Sequence, residues 1–232
     1  MSIRLVTIAV ETLEMEKVSW VSKRIRDVEI KEKIIQTAGD LFMKYGIRSV
    51  TMDDIAKELS ISKKTIYQYY KDKDEIVSLV TQAHMTRDKV EFDEIMRISS
   101  NAVEELAKIC ICLRRNLNDI NPSLLFDLQR YHQRAWTMWF DYKYNYIKKT
   151  IVDNITRGIR EGYFRKEIDP ETMATFRVEQ IEMSFDDKIF PRDKFSFMEV
   201  QMQLFDHFVH GIVTEKGRHS YENYLLQNTQ QN

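Results

Sequence analysis

Between residues 27 and 45 apolar side chains recur at three- and four-residue spacing, with Ile30, Ile34, Ala38, Leu41, Phe42 and Tyr45 on one face, which predicts an amphipathic helix. Gly46 follows, the residue that most easily takes the left-handed conformation that stops a helix. Thr51 then precedes a short run with Ile55, Ala56 and Leu59 on one face, and Asp54 stands three positions on as a carboxylate form of the capping box. Ser60, Ile61 and Ser62 break the chain. Ser62 can cap a helix from Lys63 to about Tyr70, with Ile66 and Tyr70 turned inward. Asp72 and Glu75 announce a further start, and Ile76, Val80 and Ala83 carry a long helix from Lys73 towards Ile98.

Downstream, Asn121 before Pro122 and Asp169 before Pro170 pair a cap with a first-turn proline, whose missing N–H is no loss there. Gly162 is expected to close a long aromatic helix and Pro191 to end another, and Ser196 with Glu199 boxes the start of FMEVQMQLFDHFVHGIV. The expected organisation is a flexible arm over 1–26, a three-helix unit over 27–73, a larger helical domain over 74–216 and a fraying polar tail over 217–232.

Composition agrees with long helices. Gly 6 and Pro 3 make up about 4% of the 232 residues, where average usage supplies roughly 12%, and sheets need those residues at their turns. The fold class expected is therefore all-α. A hydrophobic content of 43% with 31% charged residues suits a soluble domain with a real core, and no stretch reads as a signal peptide or membrane span, so the expected location is cytoplasmic. Net charge is only -1, but residues 17–73 hold 13 Lys or Arg against 8 Asp or Glu. A basic N-terminal third suggests that one end of the chain meets a polyanion.

Two short helices separated by three residues, packed on a preceding helix, form the helix-turn-helix arrangement. The exposed face of the second, Lys63, Lys64, Thr65, Tyr67, Gln68 and Tyr69, contains no acid before Asp72. It offers ammonium groups for phosphates or guanine edges and an amide for bidentate contact with adenine. His84, His132, His207, His210 and His219 show no metal-ligand spacing, and Cys110 and Cys112 point to different sides of one helix, so neither a metal nor a cofactor is expected. No GxGxxG, GxxxxGK[ST], GxSxG or HExxH is present, and no enzyme is expected.

The stretch IIQTAGDLFMKYGIRSVTMDDIAKELSISKKTIYQYYKDKDEIV resembles the DNA-binding domain of the tetracycline-repressor (TetR) family. The resemblance rests on Ala38 with Leu41 and Phe42, Gly46, Thr51 with Ile55 and Ala56, Ile61 and Ser62, Thr65 to Tyr67, the pair Tyr69 and Tyr70, and Lys73 to Glu75. It covers about 45 residues. It implies that Thr51 and Lys73 hold phosphates and that Lys63, Lys64, Thr65, Tyr67, Gln68 and Tyr69 lie at the major groove. Ser60 stands where the family usually has Gly, so a left-handed turn there carries strain of about 1 kcal/mol.

The resemblance also implies a homodimeric regulator, a repressor controlled by a small, largely apolar molecule and bound to a palindromic double-stranded DNA operator. The stretch YHQRAWTMWFDYKYNYIKK places Trp136, Phe140 and Tyr144 on one stripe bordered by Trp139, Tyr142 and Tyr146. That stripe is either bulky core with a subunit contact or, together with Phe126, Tyr131, His132 and Trp139, the wall of a ligand cavity. Met173, Phe176, Gln180 and Met183, with Val200, Leu204, Phe208 and Ile212, give two further stripes suited to a dimer interface. The alternative is a helical adaptor that binds a partner protein, not DNA, through its aromatic helix.

Overall fold

The computed structural model describes residues 2–117 and 120–229. Among the described residues eleven α-helices run α1 (Ser2–Tyr45), α2 (Met52–Glu58), α3 (Lys63–Tyr69), α4 (Lys73–Ile98), α5 (Ala102–Asn116), α6 (Ser123–Tyr131), α7 (Gln133–Tyr142), α8 (Lys148–Arg160), α9 (Pro170–Met183), α10 (Phe197–Ile212) and α11 (Glu215–Thr229), with a π-helical turn over Lys143–Ile147 joining α7 to α8. The bridge between Phe164 and Val213 is the one β-type pairing among the described residues.

The predicted starts are made by the predicted side chains. Thr51 and Asp54 form the reciprocal capping box of α2, Ser62 caps α3, Asp72 caps α4 through the Glu75 N–H, and Asp169 caps α9 with Pro170 at its first position. Gly46 and Gly162 both take positive φ, 81° and 74°, just past the helices they close. Before α6 the cap is displaced by one residue. The helix begins at Ser123, while Asn121 Oδ1 still accepts the Ser123 N–H at 3.0 Å.

Three expectations are corrected. The helix expected from residue 27 extends back to Ser2, because no Gly or Pro stands among residues 1–26 to interrupt it. Helix α9 ends at Met183, well before Pro191, which opens a turn of its own whose carbonyl takes the Lys194 and Phe195 N–H groups. The segment from Gly217 forms most of α11, which packs along α5 with Tyr221 buried and Tyr224 and Leu225 against the core. Three apolar groups at i, i+3 and i+4 anchor this otherwise polar helix. Residues 230–232 of the expected tail lie outside the described residues.

The core divides in two, and the division does not follow the boundary expected at residue 73. One cluster joins Ile34, Phe42, Ile55, Ile66 and Ile76 of the first four helices to Leu124, Leu125 and Leu128 of α6 and Ala135 of α7. The other joins Val103, Leu106 and Ala107 of α5 to Ile155, Phe164, Phe205, Phe208, Val209 and Tyr221. Each fully buried branched or aromatic side chain contributes roughly 1.5–3 kcal/mol of transfer free energy, so α6 is held firmly to the first unit.

Ser60 takes φ 54° between α2 and α3, the left-handed conformation that a Cβ disfavours. Ser60→Gly is expected to raise unfolding free energy by about 1 kcal/mol in urea titrations. An unchanged or lowered midpoint would show that Ser60 carries no strain.

Candidate nucleic-acid interface and enclosed cavity

Helix α3 buries Ile66 fully and Tyr70 almost fully, and the Tyr70 hydroxyl donates to Lys31 O at 2.9 Å, so the helix is pinned to α1 by its inward side. Its outward side presents Lys63, Lys64, Tyr67 and Gln68, all exposed, with Thr65 half-buried at the edge. Lys63 Nζ lies 2.8 Å from Asp53 Oδ2, and this bond raises its pKa. Both side chains are in water, where such a pair exchanges readily for a phosphate. Among the described residues nothing binds Lys64 or Gln68, so an ammonium and an amide are both free for recognition.

Three residues expected at the DNA are engaged elsewhere. The Tyr69 hydroxyl donates to Asp27 Oδ1 at 2.9 Å and its ring packs on the first core, which makes it a brace between α3 and α1. The Thr51 N–H and hydroxyl both donate to Asp54 Oδ2, at 2.8 and 2.7 Å, leaving no spare donor. Lys73 Nζ donates to Ile47 O at 2.5 Å and to Val50 O, beneath the connection between α1 and α2. Burial lowers its pKa, against the pull of Asp127 and Asp54. A lysine at the start of a helix suits a phosphate contact in sequence, but here two backbone carbonyls without helical partners claim it.

The same connection is gripped from the other side by α6. Buried Asp127 accepts the Arg48 N–H through Oδ2 at 3.0 Å, and the Arg48 guanidinium stands over the Tyr131 ring at 5.7 Å. Asn121 N–H donates to Met43 O at 2.6 Å at the end of α1. A Cβ on Gly46 would come within 2.5 Å of Ser123 Oγ, so that position needs Gly for space as well as for its positive φ. His132 Nδ1 meets Asp74 Oδ1 at 2.7 Å, tying the joint between α6 and α7 to α4.

A cavity of 210 Å³ opens behind α6, between α4, α5, the rod from α7 to α8, α9 and α10. Its walls are mainly apolar, with Phe92 and Met96 from α4, Leu106, Ile109 and Leu113 from α5, Ile151 from α8 and Phe205 and Phe208 from α10. Of the residues expected to line a ligand site only Trp139 does so. Phe126, Tyr131 and Phe140 are about half exposed, Trp136 packs on the first core, His132 is held by Asp74, and Tyr144 turns to α9, where its hydroxyl donates to Glu179 at 2.6 Å. The bordering rings do face the cavity: Tyr142 and Tyr146 stack at 5.1 Å across the π turn. At that π turn the buried Lys143 ammonium meets Glu179 and Glu182, whose side chains are partly exposed.

Several polar groups on these walls lack partners, among them Trp139 Nε1, Tyr142 Oη, Asn154 Oδ1 and Arg177 Nη1. Sequence reading missed Arg177, though a lone guanidinium between Met173 and Ile181 on an apolar stripe is a signal. The four-residue repeat of His84, Asp88, Phe92 and Met96 along α4, all on the cavity wall, is another. The dimer stripes also turn partly inward. Gln180, Val200, Phe208 and Ile212 are buried and Met173 packs on the second core, leaving Phe176, Met183 and Leu204 towards the outside.

Residues 34–80 match the family model for bacterial regulatory proteins of the tetR family. The chain is 28% identical over 171 residues to YvaF, an uncharacterized HTH-type transcriptional regulator of Bacillus subtilis, across 72% of this chain and 88% of that one. Among solved structures, a transcriptional regulator from Saccharomonospora viridis in complex with choline superposes with a TM-score of 0.68, at 22% identity, over 81% of this chain and all of its own. The ketosteroid transcriptional regulator KstR2 of Mycobacterium tuberculosis superposes with a TM-score of 0.57, at 21% identity, over 82% and 96%. At such identities the structural likeness carries the fold.

The bonds of Lys73 separate two kinds of lysine. Lys73→Met is expected to destabilise the fold by about 1–3 kcal/mol, because Val50 O loses its donor and Ile47 O keeps only the long bond from the Val50 N–H, whereas Lys64→Ala should stay within about 0.5 kcal/mol of the parent. Urea unfolding of both variants checks this, and equal midpoints would return Lys73 to the surface.

Proposed function

We infer that this chain, which belongs to the TetR family of bacterial transcriptional regulators, is a homodimeric repressor that leaves its operator when a small molecule fills the cavity behind α6. The observation that carries the reading is the shared core: α3, which bears the free Lys64 and Gln68, is packed as one body with α6. Leu117 and Ile120 line the cavity immediately before α6 begins. An occupant that displaces them bears on Asn121 and Ser123, and through their contacts with Met43 and Gly46 on the whole reading head. A ligand shifts an equilibrium only by its differential affinity for two states, so the DNA-competent arrangement must hold the effector less well.

Dimerisation through the outer faces of α9 and α10 is supported by the half-exposed ring of Phe176, with Met183 and Leu204 beside it. Two-fold symmetry then requires a palindromic operator whose half-sites lie about 34–36 Å apart or somewhat more. On the reading face, Lys63 and Lys64 serve phosphates or guanine, Gln68 serves a base edge, and Tyr67 and Thr65 lie at the backbone. One similar structure was solved in complex with choline and another is of a ketosteroid transcriptional regulator, so the effector of this chain is argued from its own cavity walls.

Selection of the operator from random duplexes, followed by titration at several salt concentrations, tests the reading. Gln68→Ala should lose about 1–3 kcal/mol on the selected site and little on scrambled DNA. Lys64→Ala should weaken both and reduce the salt slope by about 1 per subunit. Retention of full affinity on every duplex by a Lys63, Lys64 and Gln68 triple alanine variant would end the proposal.

A further inference from the structure

The cavity wall holds a buried cation to which no carboxylate is bonded among the described residues. Arg177 is 3% exposed, its guanidinium lies over the rings of Phe205 and Phe208 at 5.1 and 5.9 Å, and its Nη1 has no hydrogen-bond partner. The acids around it are committed to other cations. Glu105, on the same cavity, faces Arg157 at 3.5 Å, and Glu179 and Glu182 hold Lys143. Burial pulls the Arg177 pKa down to about 10, which leaves it fully charged at neutral pH. A neutral amide, indole or hydroxyl on such a wall is satisfied by a water molecule. A buried, unpaired guanidinium is far more costly and calls for an anion.

We propose that the cavity takes an amphiphile with a single carboxylate, whose head group pairs with Arg177 and whose apolar body lies along Leu106, Ile109 and Phe92. The planar fork of a guanidinium matches a carboxylate in two parallel hydrogen bonds, and the surrounding rings exclude the water that would weaken them. The walls beyond Arg177 are chiefly aliphatic and aromatic, so the rest of the ligand is hydrocarbon. A cationic amphiphile of the same length meets the wrong sign at this wall. The inference rests on the effector-responsive reading above and adds the chemical class of the effector.

Calorimetric titration of the full chain at pH 7.5 with decanoate, decan-1-ol and decyltrimethylammonium tests it. Decanoate should bind roughly ten- to a hundredfold more tightly than decanol, the gain of a charge-assisted pair in a dry site, and the ammonium compound most weakly. Arg177→Met should reduce decanoate to the affinity of decanol and leave decanol unchanged. Equal binding of decanoate and decanol, preference for the ammonium compound, binding of none of them, or a decanoate preference that survives Arg177→Met would each overturn the proposal. The head-group series uses the parent protein, so a variant that fails to fold does not shelter it. Operator titration in the presence of each probe separates the two readings: release by all three alike keeps the effector-responsive repressor and removes the carboxylate.

Discussion

The connection between α1 and α2 is held from both sides, and the arrangement of the reading head depends on that grip. Lys73 caps the carbonyls of Ile47 and Val50 from the start of α4, and Asp127 takes the Arg48 N–H from α6. Six residues of non-helical chain connect the two helices, and a backbone group left unsatisfied at its buried positions, Gly46, Ile47 and Val50, costs about 1–3 kcal/mol. A cation and a carboxylate supply the missing partners and also attract one another, since Asp127 counters the effect of burial on Lys73. The head therefore cannot move away from α6 without exposing a set of bonds that stabilise both.

Rigidity at this corner shifts the freedom of the molecule elsewhere. The two core clusters meet around the cavity, where Trp139 and Phe185 pack on the first core while also lining the cavity, as Phe205 and Phe208 of the second core do. An internal void with unpartnered polar atoms is a local loss of stability, and such losses gather where a protein keeps space for a ligand. The π turn at Lys143–Ile147 belongs to the same pattern. It interrupts the regular ladder at the point where Tyr142 and Tyr146 line the cavity and Lys143 reaches α9.

Local signals were legible in the sequence and long-range ones were not. Thr51, Ser62, Asp72 and Asp169 announced their helices because a cap is a contract between residues three apart, and Gly46 and Gly162 announced the left-handed stops in the same way. The strain at Ser60 was legible only through the family resemblance, which usually has Gly at that position. The internal bonds of Lys73 and Tyr69 were not legible because their partners, Ile47, Val50 and Asp27, lie far away along the chain. Periodicity showed that the helix around Trp136 had two aromatic faces but not which faced the cavity, and it gave Phe208 and Ile212 a stripe without saying whether it pointed in or out. Helix α11 escaped notice because three apolar anchors in a polar sequence make a weak pattern until a partner such as α5 is known.

The switch proposed above has an energetic requirement that bears on its wiring. Moving a two-state equilibrium from 1:99 to 99:1 takes a differential affinity of about 5.5 kcal/mol, or about 2.7 kcal/mol per site when two sites of a dimer act together. Hydrocarbon contacts with the cavity walls supply little of this if they are equally available in both arrangements. A bond to a buried guanidinium is different, because its strength depends on how dry the site is, and any rearrangement of the proposed switch that admitted water past Leu117 and Ile120 would weaken it. Arg177 lies on α9, against the second core, while the clamp on the reading head lies on α6, in the first. A ligand spanning that distance is held by one core as it presses on the other, which is the geometry needed for binding energy to become relative movement of the two.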